Sequence, residues 1–254
     1  MKNPFGLRNL AAAVAAFLLF NSAMAEDKKP AEQPKPAAPE KMKVEDKAAL
    51  KVIESPIAAN CFTAKSEPRT IDTVVVHYSS AINWFAADFQ KLLTPEVKAY
   101  AEKIKLTKAN VNEHKFDWRL VKVIFETYKV SSHYMITRDG QIIRFVKDND
   151  ISYHAGKSKM PNDGREKVND FSIGVEILST HPKDDPTTKT PADAYTPAQY
   201  EALNKIIAEL CKNGHKITAV VGHDEIAPGR KTDPGPLFQW DRVRTKDLKP
   251  IACK

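Results

Sequence analysis

Apolar residues along this chain follow two rhythms, and the change from one to the other marks the elements. Near-continuous runs occur at Asp72 to Tyr78, Ser172 to Leu178 and Ile217 to Gly222, with shorter ones at Ser132 to Thr137 and Gln141 to Val146. Rich in Val and Ile and bounded by polar or turn-forming residues, they read as buried strands. Elsewhere the spacing lengthens to three and four. Trp118, Val121, Phe125 and Tyr128 share one face behind Asp117, a good N-cap, which predicts a helix over Asp117 to Tyr128. Leu203, Ile207 and Leu210 repeat the pattern and predict a second helix over Thr196 to Cys211. Between the first strand and the first helix lies a long connection, Ala81 to Phe116, whose clearest helical stretch is TPEVKAYAEKIKL.

The N-terminal end breaks both rhythms. Met1 to Ala25 carries Lys2 and Arg8, then an apolar run from Leu10 to Phe20, then Ala23-Met24-Ala25, the order of a cleavable signal peptide. Its core is shorter than the roughly 20 residues of a membrane span, and no other stretch approaches that length. An exported, soluble, periplasmic protein is expected. No cysteine lies near the cleavage site, so a lipid anchor is not indicated. Residues 26–51 (AEQPKPAAPEK and its flanks) are rich in Lys, Glu, Ala and Pro and read as a disordered tether. Residues 52–254 remain for one domain, enough for a single sizeable core.

Charge and cysteine count narrow the function classes. Without Lys2 and Arg8, 37 basic face 32 acidic side chains, a modest and scattered excess. It suits adsorption to an anionic wall, but no basic cluster interleaved with aromatics points to nucleic acid. Cys61, Cys211 and Cys253 make an odd count, so one thiol stays free in an oxidising compartment. Cys211 fits the apolar helix face and is expected as a buried thiol. Cys61 and Cys253 bracket the domain and are the expected pair, although sequence fixes no distance between them.

The chemistry concentrates in Gly222 to Pro236, GHDEIAPGRKTDPGP. His223 ends an apolar strand, and Asp233 follows within a segment stiffened by proline and shaped by glycine. His77 ends another apolar strand in the same way. Two nitrogens and one carboxylate oxygen suit zinc with a fourth position open, the arrangement of a catalytic site. Non-haem iron uses the same donor types, but there two ligands usually sit almost adjacent in sequence. Glu176 interrupts the apolar run at Ser172 to Leu178, and alternation alone leaves it open between an outward-facing edge charge and a group at the site. Lys231 likewise reads as a solvated loop lysine or as a cation beside Asp233.

These residues sit in blocks that resemble a known family. VVVHY (Val74 to Tyr78), SSHYMITRDGQII (Ser131 to Ile143), YHAG (Tyr153 to Gly156), NDFSIGVEI (Asn169 to Ile177) and GHDEIAPGRKTDPGP are similar, in order, to blocks of the zinc-dependent N-acetylmuramoyl-L-alanine amidases of the AmpD and AmiD type. The resemblance spans roughly Thr70 to Val243. It implies an α/β (α+β) fold, a central mixed sheet flanked by helices and related to peptidoglycan recognition proteins. It also implies hydrolysis of the amide between N-acetylmuramic acid and the L-alanine of a stem peptide, with peptidoglycan or muropeptides as substrate and one zinc per monomeric chain.

Under that resemblance His77, His223 and Asp233 hold the metal, Glu176 shuttles the proton and Lys231 stabilises the oxyanion. His154, Lys129, Lys167 and Asn169 are the expected substrate contacts. Tyr153 departs from the tryptophan common before His154, and lysine at 129 and 167 replaces the arginine usual in AmpD-like members, keeping the charge without the bidentate fork. His133 reads as structural or near the substrate. The Ala81 to Phe116 connection, where the family varies most, is expected to form one wall of the groove. Two rivals are a noncatalytic peptidoglycan-binding module of the same fold, which typically lacks a zinc ligand, and a zinc peptidase, which would carry HExxH.

Overall fold

Because the apolar runs are buried on both faces, they form the middle of a sheet with a layer on each side. The computed structural model describes residues 50–253; the signal peptide expected at 1–25 and all but the last two residues of the tether expected at 26–51 lie outside the described residues. Strands are β1 Val52–Glu54, β2 Phe62–Thr63, β3 Thr73–Ser79, β4 Tyr134–Ile136, β5 Ile142–Arg144, β6 Ile151–Ser152, β7 Ser172–Leu178 and β8 Ala219–Gly222. Helices are α1 Ala87–Leu92, α2 Pro95–Lys103, α3 Trp118–Tyr128, α4 Pro191–Ala194, α5 Pro197–Lys212 and α6 His223–Ile226. Six strands make one mixed sheet in the order β1-β5-β4-β7-β3-β8, with β4 and β5 antiparallel and the other pairs parallel. β2 and β6 form a separate antiparallel pair.

Each face of the sheet has its own core. Val74 and Val76 of β3, Ile173, Val175 and Ile177 of β7 and Val220 of β8 pack with Leu203, Ile206, Ile207 and Leu210 of α5. On the opposite face Met135, Ile143 and Leu178 pack with Leu120, Val121 and Phe125 of α3 and with Trp84, Phe89 and Leu93. Helix starts follow their caps. Asp117 accepts from the Arg119 amide, and Thr196 and Gln199 form a reciprocal capping box with Pro197 in the first turn of α5.

Three expectations are corrected. The strand expected to begin at Ile217 begins at Ala219, because the Thr218 amide donates to the Asp72 carbonyl at 2.8 Å before the ladder starts. The connection between β3 and α3 contributes no residue to the cleft around His77 and Glu176; its buried Trp84, Phe89, Leu93 and Leu106 pack with α3 instead. The disulfide joins Cys211 to Cys253, with Cα atoms 5.8 Å apart, and Cys61 is the buried free thiol. Cys61 packs on the α3 side of the sheet, whereas Cys253 packs on the α5 side, where the last turn of α5 carries Cys211. The sheet itself keeps Cys61 and Cys253 apart.

Candidate metal centre and catalytic cleft

Strand register brings the first two groups together. β3 and β7 run parallel with His77 opposite Glu176, so both side chains leave the same face near the C-terminal ends of adjacent strands. β8 flanks β3 on its other side and passes from Gly222 directly into α6, which begins with His223. The Gly222 amide donates to Glu225 at 2.7 Å, and Arg244 holds that carboxylate with two bonds of 2.7 and 2.8 Å. A Cβ at Gly222 would lie 2.2 Å from Asp224 Oδ1 and 2.9 Å from Pro234 Cδ, so only glycine lets the two limbs of the loop approach. The Asp224 amide donates to the Asp233 carbonyl at 2.9 Å, and the Tyr195 hydroxyl donates to the Pro234 carbonyl at 2.6 Å. Asp233 is thereby fixed on a pinned loop.

Three potential ligand atoms converge. His77 Nδ1 lies 3.0 Å from His223 Nδ1 and 2.9 Å from Asp233 Oδ2, and His223 Nδ1 lies 3.0 Å from that same oxygen. His77 and His223 are almost completely buried. Burial, reinforced by the neighbouring His223, pushes His77 down to about 4 against the pull of Asp233, so its imidazole is neutral at physiological pH. Ligands of a tetrahedral zinc, each at about 2.0–2.1 Å, sit slightly more than 3 Å apart. Donor types, spacing and burial all fit that ion. Of the described residues, these are the group suited to holding a metal.

Around the triad stand the other groups. Glu176 is buried, and the Ser79 hydroxyl donates to its Oε2 at 2.5 Å. Burial pushes its carboxyl up to about 8; the Ser79 bond and the Lys231 charge oppose that rise, and the Asp233 charge adds to it. His77, Glu176, His223, Lys231 and Asp233 all open onto one cleft of about 280 Å³, with Phe125, Val130 and Tyr153 among its walls. A carboxyl with a raised pKa, a cation and a three-ligand cluster in one cavity can move a proton and stabilise a developing anion.

The expected substrate contacts divide. His154 reaches the cleft, but its ring nitrogens are engaged: Nδ1 lies 3.0 Å from His77 Nε2, and Nε2 lies 3.1 Å from Ser172 Oγ. Asn169 accepts from the amides of His154 and Ala155 at 3.3 and 2.8 Å, so it braces the 153–156 segment. Lys129 and Lys167 are exposed, each in a left-handed conformation (φ 55° and 57°), and neither lines the cleft. His133 is structural, its Nδ1 accepting from the Gly174 amide at 3.0 Å. Sequence reasoning missed Ser79, Ser172 and the Ala155 carbonyl, which lies 3.2 Å from His223 Nε2. The signal for the two serines was the period of two, since Ser79 shares a strand face with His77 and Ser172 shares one with Glu176.

Comparison with known proteins gives a consistent picture. The family described as N-acetylmuramoyl-L-alanine amidase matches residues 67–236. The 1,6-anhydro-N-acetylmuramyl-L-alanine amidase AmpD of Haemophilus influenzae is 31% identical over 204 residues, covering 76% of this chain and 95% of that protein. The Escherichia coli protein of the same name is 42% identical over 117 residues, 46% of this chain and 57% of its own length, so that match spans little more than half of the relative. A crystal structure of a selenomethionine AmpD derivative aligns with a TM-score of 0.51 at 29% identity, covering 76% of this chain and 93% of that one.

Proposed function

The chain belongs to the N-acetylmuramoyl-L-alanine amidase family, and from that premise we infer that it hydrolyses the amide joining N-acetylmuramic acid to the L-alanine of peptidoglycan stem peptides. The observation that carries this reading is the placement of Glu176 and Lys231 on the same cleft as His77, His223 and Asp233. The three side chains would hold one zinc ion, which when bound supplies Lewis acidity that brings the pKa of water to about 7. Glu176 accepts the proton of the attacking water at its carboxylate and passes it to the departing amine of L-alanine. Ser79 steadies the carboxylate through Oε2, leaving the other oxygen for the proton. Lys231 contributes a fixed positive charge for the oxyanion that forms at the amide carbonyl. A noncatalytic binding module needs neither of these two groups.

The substrate class is muropeptide or intact peptidoglycan, and the enzyme acts as a monomer exported by its signal peptide at 1–25 to the periplasm. Among the described residues no helix is long and apolar enough to cross a membrane. Mass spectrometry of muropeptides incubated with the purified protein tests the reaction. Release of free stem peptide beginning with L-alanine, lost on chelation and restored by zinc, is the expected result; cleavage within the stem peptide, or activity unaffected by chelation, would overturn it. Mature protein recovered from periplasm should begin at Glu26.

A further inference from the structure

We propose that His154 and Ser172 are positioning residues: with the Val168 carbonyl they form a directed hydrogen-bond chain that holds His77 with its proton on Nε2 and its Nδ1 lone pair facing His223 and Asp233. The inference rests on the reading of His77 as a metal ligand. Its direction follows from donor and acceptor accounting that starts at the far end. A carbonyl oxygen only accepts, so Ser172 Oγ, 2.6 Å from the Val168 carbonyl, commits its single hydrogen there. His154 Nε2, 3.1 Å from that same Oγ, must then be the donor. An imidazole whose proton sits on Nε2 offers Nδ1 as an acceptor, and His154 Nδ1 is the atom that faces His77. His77 Nε2, 3.0 Å away, therefore donates to it. The remaining ring nitrogen of His77, Nδ1, is left with only its lone pair.

The second histidine is fixed in the same sense by the same segment. His223 Nε2 faces the Ala155 carbonyl at 3.2 Å and must donate, which leaves Nδ1 as the nitrogen turned to the metal position. Residues 154 and 155 thus orient both imidazoles, one through a side chain and one through a carbonyl. Arg230 also donates to the Ala155 carbonyl at 2.8 Å, and Asn169 holds both backbone amides. Gly174 makes room for the chain: a Cβ there would lie 2.5 Å from His154 Cγ and 2.8 Å from its Nδ1. Three potential ligand atoms 2.9 to 3.0 Å apart, with both ring protons directed away from them, form a pocket suited to a cation.

Nitrogen-15 NMR of the metal-free wild-type protein, using long-range correlations across the imidazole rings, reads the tautomers directly. Protons on Nε2 of both His77 and His154 are expected; a proton on His77 Nδ1 would overturn the proposal. Zinc affinity, measured by competition with a chelator, provides the second readout. His154→Phe keeps an aromatic ring above Gly174 but deletes the acceptor, and should weaken zinc binding about 10- to 100-fold. His154→Asn places an amide oxygen near the lost Nδ1 and should recover most of that loss. Equal affinities for the two variants, with wild-type protein binding zinc, would sink the chain alone. A wild-type protein that binds no zinc would sink the metal reading beneath it. Should His154→Phe not fold, the wild-type tautomers still decide.

Discussion

Exchanging Glu176 for Gln should stabilise the metal-free protein at alkaline pH while disabling the enzyme. The amide keeps the shape of the carboxyl and can still accept from Ser79, but it removes a charge that burial opposes. In the folded protein the Glu176 carboxyl is raised from an ordinary 4.5 to about 8, chiefly by burial. An unfolded chain releases this proton near pH 4.5, whereas the folded one holds it until about 8. The folded state therefore binds the extra proton between these values, and wild-type stability falls as pH rises through that window. Glutamine has no such proton. The advantage of Glu176→Gln should be absent below pH 4.5, grow through the window and level off above pH 8. At about 1.4 kcal/mol per pH unit the ceiling is roughly 5 kcal/mol, and water entry and local relaxation should leave about 2–3 kcal/mol. Urea midpoints with chelator present, at pH 4 and pH 9, measure it, provided the slope is unchanged. His77, His223 and Asp233 are common to both proteins and cancel to first order. Zinc should shrink the advantage, because a cation beside Glu176 favours the carboxylate. A stability difference equal at the two pH values would refute the reasoning. Turnover of zinc-loaded Glu176→Gln should fall by about 10²-fold or more.

Replacing His77, His223 or Asp233 by Ala should lower bound zinc and amidase activity together, checked by elemental analysis alongside peptide release. Lys231→Ala should keep its zinc and lose about 10²-fold or more in turnover, since only the charge facing the oxyanion is removed; an unchanged rate would make it a solvated loop residue. Nonreducing peptide mapping should recover Cys211 linked to Cys253 and Cys61 as a free thiol. Reduction of that bond, or the paired change of both cysteines to Ala, should cost about 2–4 kcal/mol of unfolding free energy, read from denaturant midpoints.

Local information was sufficient for much of this protein. β3, β7 and β8 are legible as apolar runs because each is buried on both faces, and α3 and α5 are legible because one face of each is apolar and a capping residue precedes it. The ligand residues stood out because two histidines terminate such runs and Asp233 follows the second within one stiff loop. Sequence left Glu176 between an edge charge and a site residue. That choice belongs to the parallel register of β3 and β7, which sets Glu176 opposite His77 across almost a hundred residues of chain. The role of His154 was equally out of reach: it depends on Gly174 leaving a gap and on Ser172 having its hydrogen committed elsewhere. The cysteine pairing failed for a related reason, since spacing along the chain carries no information about which face of the sheet a thiol occupies. Patterns along the sequence report how each segment meets solvent or core; which segments meet one another depends on strand order, register and face, and these arise only when distant segments pack together.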